Sequence, residues 1–261
     1  MNKNNQECVC NKSLPQARGF TLLELLVVFA ILALLASLLL STLVNAKGQA
    51  QTAHCVSNLH QLGVALNLYT QDANAYPLAT SNGITGAWQP ALQTVVPSLM
   101  FSCPAQLIPC TNFIRIFNWT GGEISPHYGY NVFGAAYQGS PPYNPGLGGD
   151  VNLSTASRTP TAVNRVVVPA RMITMGDSPT FINVIFGVQP QSNIPNQIYL
   201  AFPYIVPGFN YPGVGNWHGS NANLLFDDGH VQLAPESYWV AATDQSRRLW
   251  NSDNQPHEEW W

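Results

Sequence analysis

The sequence predicts an α+β protein in which one long N-terminal helix packs against a small antiparallel β-sheet, and three observations predict it. The first is a predominantly apolar run of 25 residues, 20–44, with a single charged residue. The second is a helical spacing of apolar residues that continues beyond this run as far as Tyr69. The third is a series of short strand-like segments that ends in a hairpin signal around Asp228-Gly229.

The composition excludes two classes of protein. Charged residues make up 9% of the 261 residues and the formal net charge is -3, so the chain lacks the basic surface that nucleic-acid binding requires. The 7 Trp, 10 Tyr and 11 Phe exclude a disordered chain, because disordered chains are poor in aromatic residues. We therefore expect a folded protein without a nucleic-acid partner.

The apolar run predicts a membrane-spanning helix. Between Phe20 and Val44 the sequence has a single charged residue, Glu24, and neither proline nor glycine. At about 1.5 Å per residue such a helix is roughly 37 Å long, enough to cross a hydrocarbon core of about 30 Å. Three basic residues and one acidic residue precede the run, which predicts a cytoplasmic N-terminus and an extracytoplasmic remainder.

A cleaved secretory signal and a plain signal anchor are the alternatives for this segment. A signal peptide has an apolar region of about 7–15 residues, shorter than this run, although Val44-Asn45-Ala46 fits its cleavage site. An anchor explains the length and the orientation. It gives no reason for Glu24, because a carboxylate buried at mid-membrane costs about 2.5–3.5 kcal/mol. The cost is smaller near a helix end, so a Glu24 that reaches the membrane surface keeps the anchor open.

The string RGFTLLELL, residues 18–26, resembles the processing site of type IV prepilins and type II secretion pseudopilins. The resemblance implies that a prepilin peptidase cleaves after Gly19 and that the new N-terminal residue, Phe20, is methylated. It also implies that Glu24 of one subunit neutralises the Phe20 amine of a neighbouring subunit, which pairs two charges that are costly to bury alone.

The next segment resembles the second half of the helix in secretion-type pseudopilins that are common in Planctomycetes and Verrucomicrobia. This segment, 45–76, includes Gly48 and Gly63, which are poor helix formers. We therefore predict a pilin-like fold in four parts. These are a cleaved cytoplasmic leader (1–19), a transmembrane and filament-core helix (20–44), its amphipathic continuation (45–72) and an extracytoplasmic head (73–261).

The head is predicted to contain short strands and a closing helix. The strand-like segments are bounded by Pro, Gly or Asn. They are 165–168, 172–175, 181–188, 198–206, 224–226 and 230–233. The closing helix is predicted over 235–251, with proline near its first turn.

His218 precedes Asp228-Gly229 by nine intervening residues, and this spacing matches the His-x9-Asp-Gly signature found near the C-terminus of many prepilin-like proteins. We interpret the segment 218–229 as a structural hairpin. Asp228 and Gly229 would form its turn, and His218 would hydrogen-bond to the turn or to backbone across it.

The functional alternative is a metal site formed by Asp177, Asp227, Asp228 and His218. The resemblance implies calcium, because secretion pseudopilins of the major class bind calcium in a C-terminal loop. Calcium takes about six to eight oxygen ligands, however, and the sequence has no dense Asp/Asn loop. Zinc held by His218, His230 and Asp228 is a second option on ligand type. No cofactor is required by these patterns.

Catalytic motifs do not occur in the sequence. It has no Gly-x-Ser-x-Gly elbow, no phosphate-binding glycine loop and no HExxH. We therefore predict that the protein is not an enzyme.

The cysteines divide at the predicted cleavage site. Cys8 and Cys10 fall in the leader, and Cys55, Cys103 and Cys110 follow it. In an oxidising compartment two of these three are expected to pair. A Cys55–Cys103 disulfide would join the helix to the head. It would also close the longer loop, which removes more entropy from the unfolded chain. The sequence around Cys103, before Pro104, resembles the context of the family's second cysteine. Cys103 with Cys110 would close a short loop, and both pairings stay open.

The resemblance implies a structural subunit of a type II secretion or type IV pilus-like filament. Its partners would be the prepilin peptidase, copies of itself, other pseudopilins and the inner-membrane assembly platform. It would cross the inner membrane once with a periplasmic head, and after assembly lie in a periplasmic or cell-surface filament. The alternative from another class is a membrane-anchored extracytoplasmic module that binds metal or carbohydrate and does not polymerise.

Overall fold

A computed structural model of the chain describes residues 20–78, 80–81, 84–85, 88–105, 127–132, 134, 145–152, 157–178, 180–182, 199–201, 214–241 and 243–257. The chain forms two compact units, Met1–Ala46 and Lys47–Trp261. Helix α1, Leu22–Ala73, contributes residues to both. The predicted helix, Phe20 to about Asp72, therefore agrees with α1 closely at both ends.

The end of α1 has a local cause. Asn74 follows the last helical residue and adopts a left-handed conformation, with φ of 52°. Asparagine is one of the few residues other than glycine that accept this geometry at a helix C-terminus. Pro77, three residues later, cannot continue the helix.

The elements after α1 are short. The described strands are β1 (Thr80–Ser81), β2 (Ile84–Thr85), β3 (Tyr128–Tyr130), β4 (Asp150–Asn152), β5 (Ser157–Thr159), β6 (Ile173–Asp177), β7 (Thr180–Ile182), β8 (Tyr199–Ala201), β9 (Asn221–Phe226) and β10 (Val231–Pro235). The α-helices are α2 (Trp88–Gln93), α3 (Glu236–Trp239) and α4 (Asp244–Trp250), and 3₁₀-helices span Ser98–Phe101, Val163–Arg165 and Pro169–Arg171.

The main sheet has four antiparallel strands in the order β10-β9-β6-β3. Three two-stranded ladders, β1-β2, β4-β5 and β7-β8, accompany it among the described residues. A long apolar helix with a small antiparallel sheet is the predicted α+β, pilin-like arrangement, and the prediction is confirmed.

Apolar side chains cover both faces of the main sheet. Met175 and Leu225 belong to a cluster with the head half of α1. Ile173 and Leu224 belong to a second cluster, which includes Trp239 and Trp250 of the closing helices. Residues two apart on a regular strand lie on the same face of the sheet. Ile173 and Met175 belong to different clusters because the register of β6 against β9 shifts between them.

Two of the predicted elements in the head are wrong. Residues 165–168 do not form a strand, because 3₁₀-helices occupy the chain on both sides and the Val166 N–H bonds locally to the Val163 carbonyl. The closing helix is divided into α3 and α4. The second begins anew because the Thr243 side chain accepts a hydrogen bond from the Ser246 N–H and caps it.

Gly63 brings α1 close to the sheet. A Cβ atom at this position would lie 3.0 Å from Cδ1 of Leu225 on β9. The absence of a side chain therefore allows the helix and the strand to approach closely, which is a packing reason for a poor helix former inside α1.

Candidate functional site

The N-terminal end of α1 forms a capping box. Thr21 directly precedes the first helical residue, and Glu24 is the third. The Glu24 N–H donates to Thr21 Oγ1 at 3.2 Å, while the Thr21 N–H and hydroxyl each donate to Glu24 Oε2 at 2.9 Å. These reciprocal bonds satisfy backbone donors that a first helical turn leaves unpaired. Glu24 thus stabilises its own helix terminus, a role that the sequence analysis missed.

Within its own unit, the apolar N-terminal half of α1 has exposed side chains. The described side chains from Phe20 to Ala50 are all exposed, and Phe20 is 75% exposed. In the described part of the chain, α1 is the one helix long and apolar enough to cross a membrane. Length and composition also fit a signal sequence, so the distinction depends on the processing motif. Gly19 and the leader 1–19 lie outside the described residues.

A buried polar cluster surrounds His218, and we call it the His218 cluster; it comprises His218, Asp177, Thr52, Cys55 and Cys103. The imidazole Nδ1 lies 3.0 Å from Thr52 Oγ1. Nε2 lies 3.6 Å from Cys103 Sγ and 3.4 Å from Asp177 Oδ2. The side chains of His218 and Asp177 are 1% and 0% exposed. The cluster therefore connects α1, the segment after the first 3₁₀-helix, β6 and the turn before β9.

The hydrogen bonds of Thr52 determine which nitrogen of His218 carries a proton. The Thr52 hydroxyl donates its hydrogen to the Gly48 carbonyl at 3.0 Å. Because a hydroxyl has one hydrogen, Oγ1 accepts from Nδ1–H of His218. In the neutral ring, Nε2 then presents its lone pair to Asp177, and the two groups attract only when a proton or a cation lies between them.

The carboxylate of Asp177 has two unlike oxygens. Oδ2 accepts hydrogen bonds from the backbone N–H of Asn223 at 2.7 Å and from its side-chain amide at 3.2 Å. Oδ1 is buried and has no hydrogen-bond partner among the described atoms. Burial raises the pKa of Asp177 because desolvation disfavours the charged form, and the hydrogen bonds from Asn223 oppose that rise.

Cys55 and Cys103 form a disulfide, with their Cα atoms 5.3 Å apart. Of the two pairings considered from the sequence, the structure therefore contains the one that joins α1 to the head segment. Cys110 lies outside the described residues.

The hairpin turn is separate from the His218 cluster. Asp227, Asp228 and Gly229 connect β9 to β10, with Gly229 at a φ of 91°, which is the left-handed position of a three-residue hairpin loop. His218 precedes the other end of β9, and this strand of six residues is about 20 Å long at roughly 3.3 Å per residue. The interpretation that the His218 side chain bonds to this turn is wrong, because its ring faces Thr52, Asp177 and the disulfide instead.

Of the four residues of the predicted metal site, Asp177 and His218 lie together, and Asp227 and Asp228 have other partners. Asp177 lies in the His218 cluster, Asp227 accepts a 2.7 Å hydrogen bond from the Tyr76 hydroxyl, and Asp228 lies 2.6 Å from Nδ1 of His230. These separated carboxylates do not supply the oxygen shell of calcium. The alternative zinc set is divided in the same way, since His230 pairs with Asp228 at the turn and His218 does not.

Several contacts of these residues could not be found from the sequence. Asn223 and Tyr76 hold Asp177 and Asp227, and Nδ1 of His60 lies 2.9 Å from the Gly229 carbonyl, so the turn contacts α1. The positions of Asn223, Tyr76 and His60 in the sequence give no indication of these contacts. Thr52 had a signal, because it lies three residues before Cys55 and so on the same face of α1.

Comparisons with known proteins place the chain in a family. The model of the prokaryotic N-terminal methylation motif matches residues 14–40. Type II secretion system core protein G of Klebsiella michiganensis is 32% identical over 131 residues, which are 48% of this chain and 86% of that protein. The proteins of the same name from Pectobacterium carotovorum and Escherichia coli are 45% and 38% identical, over 26% and 28% of this chain. No solved structure matches the chain.

The extent of these matches differs among the relatives. The chain spans 42% of the Pectobacterium protein and 50% of the Escherichia coli protein, but most of the Klebsiella michiganensis protein. The motif match includes Gly19, Phe20 and Glu24. The resemblance of the head to the His-x9-Asp-Gly domain is not tested by these matches and stays a prediction. The methylation motif matches, and the 32% identity extends over 86% of the Klebsiella michiganensis protein. The chain therefore belongs to the type II secretion system core protein G family of pseudopilins.

Proposed function

We propose that the chain works as a structural subunit of a type II secretion filament, made by processing after Gly19 and methylation of Phe20. One observation carries the proposal: the methylation motif covers residues 14–40 and so includes the start of α1, whose apolar side chains there are exposed. Copies of the same helix would cover these side chains in a filament. The relatives named as secretion proteins favour secretion over a type IV pilus.

Membership of the family and the apolar helix indicate membrane anchoring. The finer topology is part of the proposal. The leader 1–19 would stay in the cytoplasm because it carries three basic residues against one acidic residue. Residues 20–44 would cross the inner membrane, 45–72 would continue the helix, and 73–261 would form the periplasmic head. No step of this function requires catalysis by the chain.

The partners follow from the same proposal. A prepilin peptidase would cut the leader, and copies of the chain and other pseudopilins would assemble on an inner-membrane platform. In the filament, Glu24 would neutralise the Phe20 amine of a neighbouring subunit.

The mature N-terminus tests the processing step. Mass spectrometry of the chain purified from membranes of a host with a prepilin peptidase should find N-methyl-Phe20 as the first residue. A chain beginning at Lys47 would instead identify a cleaved signal peptide. An intact leader would identify the membrane-anchored binding module, and either result would overturn the proposal.

Two variants of Glu24 distinguish its role as a helix cap from its proposed role in neutralising the Phe20 amine of a neighbour. Glu24→Ala removes the charge and the side-chain half of the capping box, whereas Glu24→Gln keeps an acceptor for the Thr21 N–H and loses only the charge. We expect neither variant to enter filaments, because the neighbouring amine is left without a partner in an apolar core. The measurement is cross-linking of assembled subunits, with membrane insertion as the control. Normal assembly of Glu24→Gln would reduce Glu24 to a helix cap.

A further inference from the structure

We propose that the reduced Cys55–Cys103 pair forms, with His218 and Asp177, a buried tetrahedral zinc site that alternates with the disulfide. Among the described residues, Cys55, Cys103 and His218 are the one group of three potential metal ligands, and their ligand atoms lie within 4.8 Å of one another. Asp177 Oδ2 lies 3.4 Å from the same imidazole nitrogen but outside this group, so its carboxylate would move toward the sulfurs to become the fourth ligand. Two sulfurs, one nitrogen and one oxygen are ligands that zinc accepts in a closed site.

The spacing of the ligand atoms fits this ion. Zinc–sulfur and zinc–nitrogen bonds of about 2.3 and 2.05 Å at tetrahedral angles give a sulfur–nitrogen separation of about 3.6 Å, and a zinc–oxygen bond of about 2.1 Å gives a nitrogen–oxygen separation of about 3.4 Å. The structure has 3.6 Å from Cys103 Sγ to His218 Nε2 and 3.4 Å from Nε2 to Asp177 Oδ2. Two edges of the tetrahedron therefore exist before any ion binds. Two changes are needed: the two sulfurs, whose Cα atoms are 5.3 Å apart, must separate, and the Asp177 carboxylate must approach them.

The surrounding hydrogen bonds prepare the ligands. Thr52 accepts from Nδ1–H of His218, which leaves the Nε2 lone pair facing the cysteines and Asp177. Asn223 donates two hydrogen bonds to Asp177 Oδ2 and so orients the carboxylate. The other oxygen, Oδ1, is buried without a donor, and an uncompensated buried acceptor is unfavourable unless positive charge lies near it. A cation between His218 and Asp177 would supply that charge.

The two states interconvert by a balanced reaction. A dithiol reductant gives two electrons and two protons to the bridge: the bond between the two sulfurs breaks, two thiols form, and the reductant becomes a disulfide. Zinc then displaces both thiol protons to solvent as two zinc–sulfur bonds form. In either state α1 and the segment containing Cys103 stay joined, by a covalent bond in one and by the ion in the other, and the ion would also hold β6 through Asp177. This site is independent of filament assembly.

The test uses the full chain in mild detergent with Cys8→Ser, Cys10→Ser and Cys110→Ser, so that Cys55 and Cys103 are the only thiols. A water-soluble trialkylphosphine reduces the bridge, with water supplying the oxygen of the phosphine oxide. After its removal without air, Co²⁺ is titrated as a spectroscopic probe and then displaced by Zn²⁺. We expect one equivalent of metal per reduced chain, with the thiolate charge-transfer and visible bands of tetrahedral cobalt, and none in the oxidised chain.

Variants identify the ligands. His218→Gln and Asp177→Asn should lose the tetrahedral cobalt spectrum, and Thr52→Val, which changes only a supporting hydrogen bond, should weaken zinc binding about 10–100-fold. His54→Ala is the matched control, because His54 is exposed and adjacent to Cys55 on the same helix, and it should bind as the parent does.

The fold of each variant is checked in its oxidised form by thermal unfolding, so that a lost site is not confused with an unfolded chain. If the reduced chain unfolds without metal, zinc should restore its near-ultraviolet circular dichroism only when His218 is present. Absence of metal binding by the reduced parent would overturn the proposal. So would binding that His218→Gln and Asp177→Asn leave unchanged.

Discussion

At the scale of single residues, neighbours in the sequence have unrelated partners. Asp227 accepts a hydrogen bond from Tyr76, and the next residue, Asp228, pairs with His230. Successive residues at a turn point in different directions, so adjacent carboxylates are a weak indication of one shared ligand. The sequence predicted the turn because Asp-Gly geometry is local. It did not predict the partner of His218, because Thr52 lies 166 positions away.

Asp227 should make the stability of the head depend on pH. Burial raises its pKa, the hydrogen bond from Tyr76 lowers it, and the charge of Asp228 raises it, with a net rise. In the folded chain Asp227 therefore retains its proton to higher pH than in the unfolded chain, and the contribution of Asp227 to the free energy of unfolding falls as the pH rises above about 4. Asp227→Asn, which can still accept from Tyr76, removes this dependence.

The measurement is denaturant unfolding of the detergent-solubilised chain and of Asp227→Asn across a pH series, followed by tryptophan fluorescence. The stability of the variant relative to the parent should increase from acidic to neutral pH. A difference that stays constant, or that increases toward acid, would contradict the raised pKa of Asp227.

At the scale of elements, α1 shows what periodicity can and cannot predict. The apolar spacing of Cys55, Leu59 and Leu62 predicted the face that is buried against the head, and these three side chains are fully buried. It could not predict that Gly63 lies against Leu225, because that contact depends on which strand crosses the helix. The irregularity within β6 was equally hidden, since a one-residue register shift leaves no mark on an apolar run.

Substitutions at two glycines of α1 distinguish the effect of packing on stability from the effect of helix propensity. A Cβ at Gly48 would meet nothing within 4 Å, whereas one at Gly63 would lie 3.0 Å from Leu225. We expect Gly48→Ala to stabilise the chain by about 1 kcal/mol, the propensity difference between the two residues. Gly63→Ala should gain less, because Leu225 must move. Thermal unfolding of the two variants measures the difference, and equal gains would show that Leu225 yields without cost.

At the scale of the whole molecule, the chain divides into a unit with exposed apolar side chains and a unit with its own core. The apolar run 20–44 indicated from the sequence where the exposed apolar side chains would lie. The sequence did not predict the strand order of the main sheet, since β9 lies between β10 and β6 and so joins strands that are distant in sequence. Such pairings depend on tertiary packing and not on local propensity.

The disulfide should contribute much of the stability of the head. It joins residues 48 positions apart, and the loss of unfolded-state entropy for a loop of this length corresponds to about 4 kcal/mol. Reduction in the presence of a metal chelator should therefore lower the midpoint of thermal unfolding. Cys55→Ser with Cys103→Ser should do the same in the absence of a reductant. Unchanged unfolding in both cases would mean that the bridge does not constrain the unfolded chain.

The link between Cys55 and Cys103 also determines how mechanical force would pass through a subunit. Apolar contacts between a helix and a sheet can slide or peel apart when the helix is pulled along its axis. A covalent bond at residue 55 transmits the same pull directly to the segment that contains Cys103. In a filament under tension, each head would therefore remain tethered to its own helix even where the packing around Leu59 and Leu62 had given way.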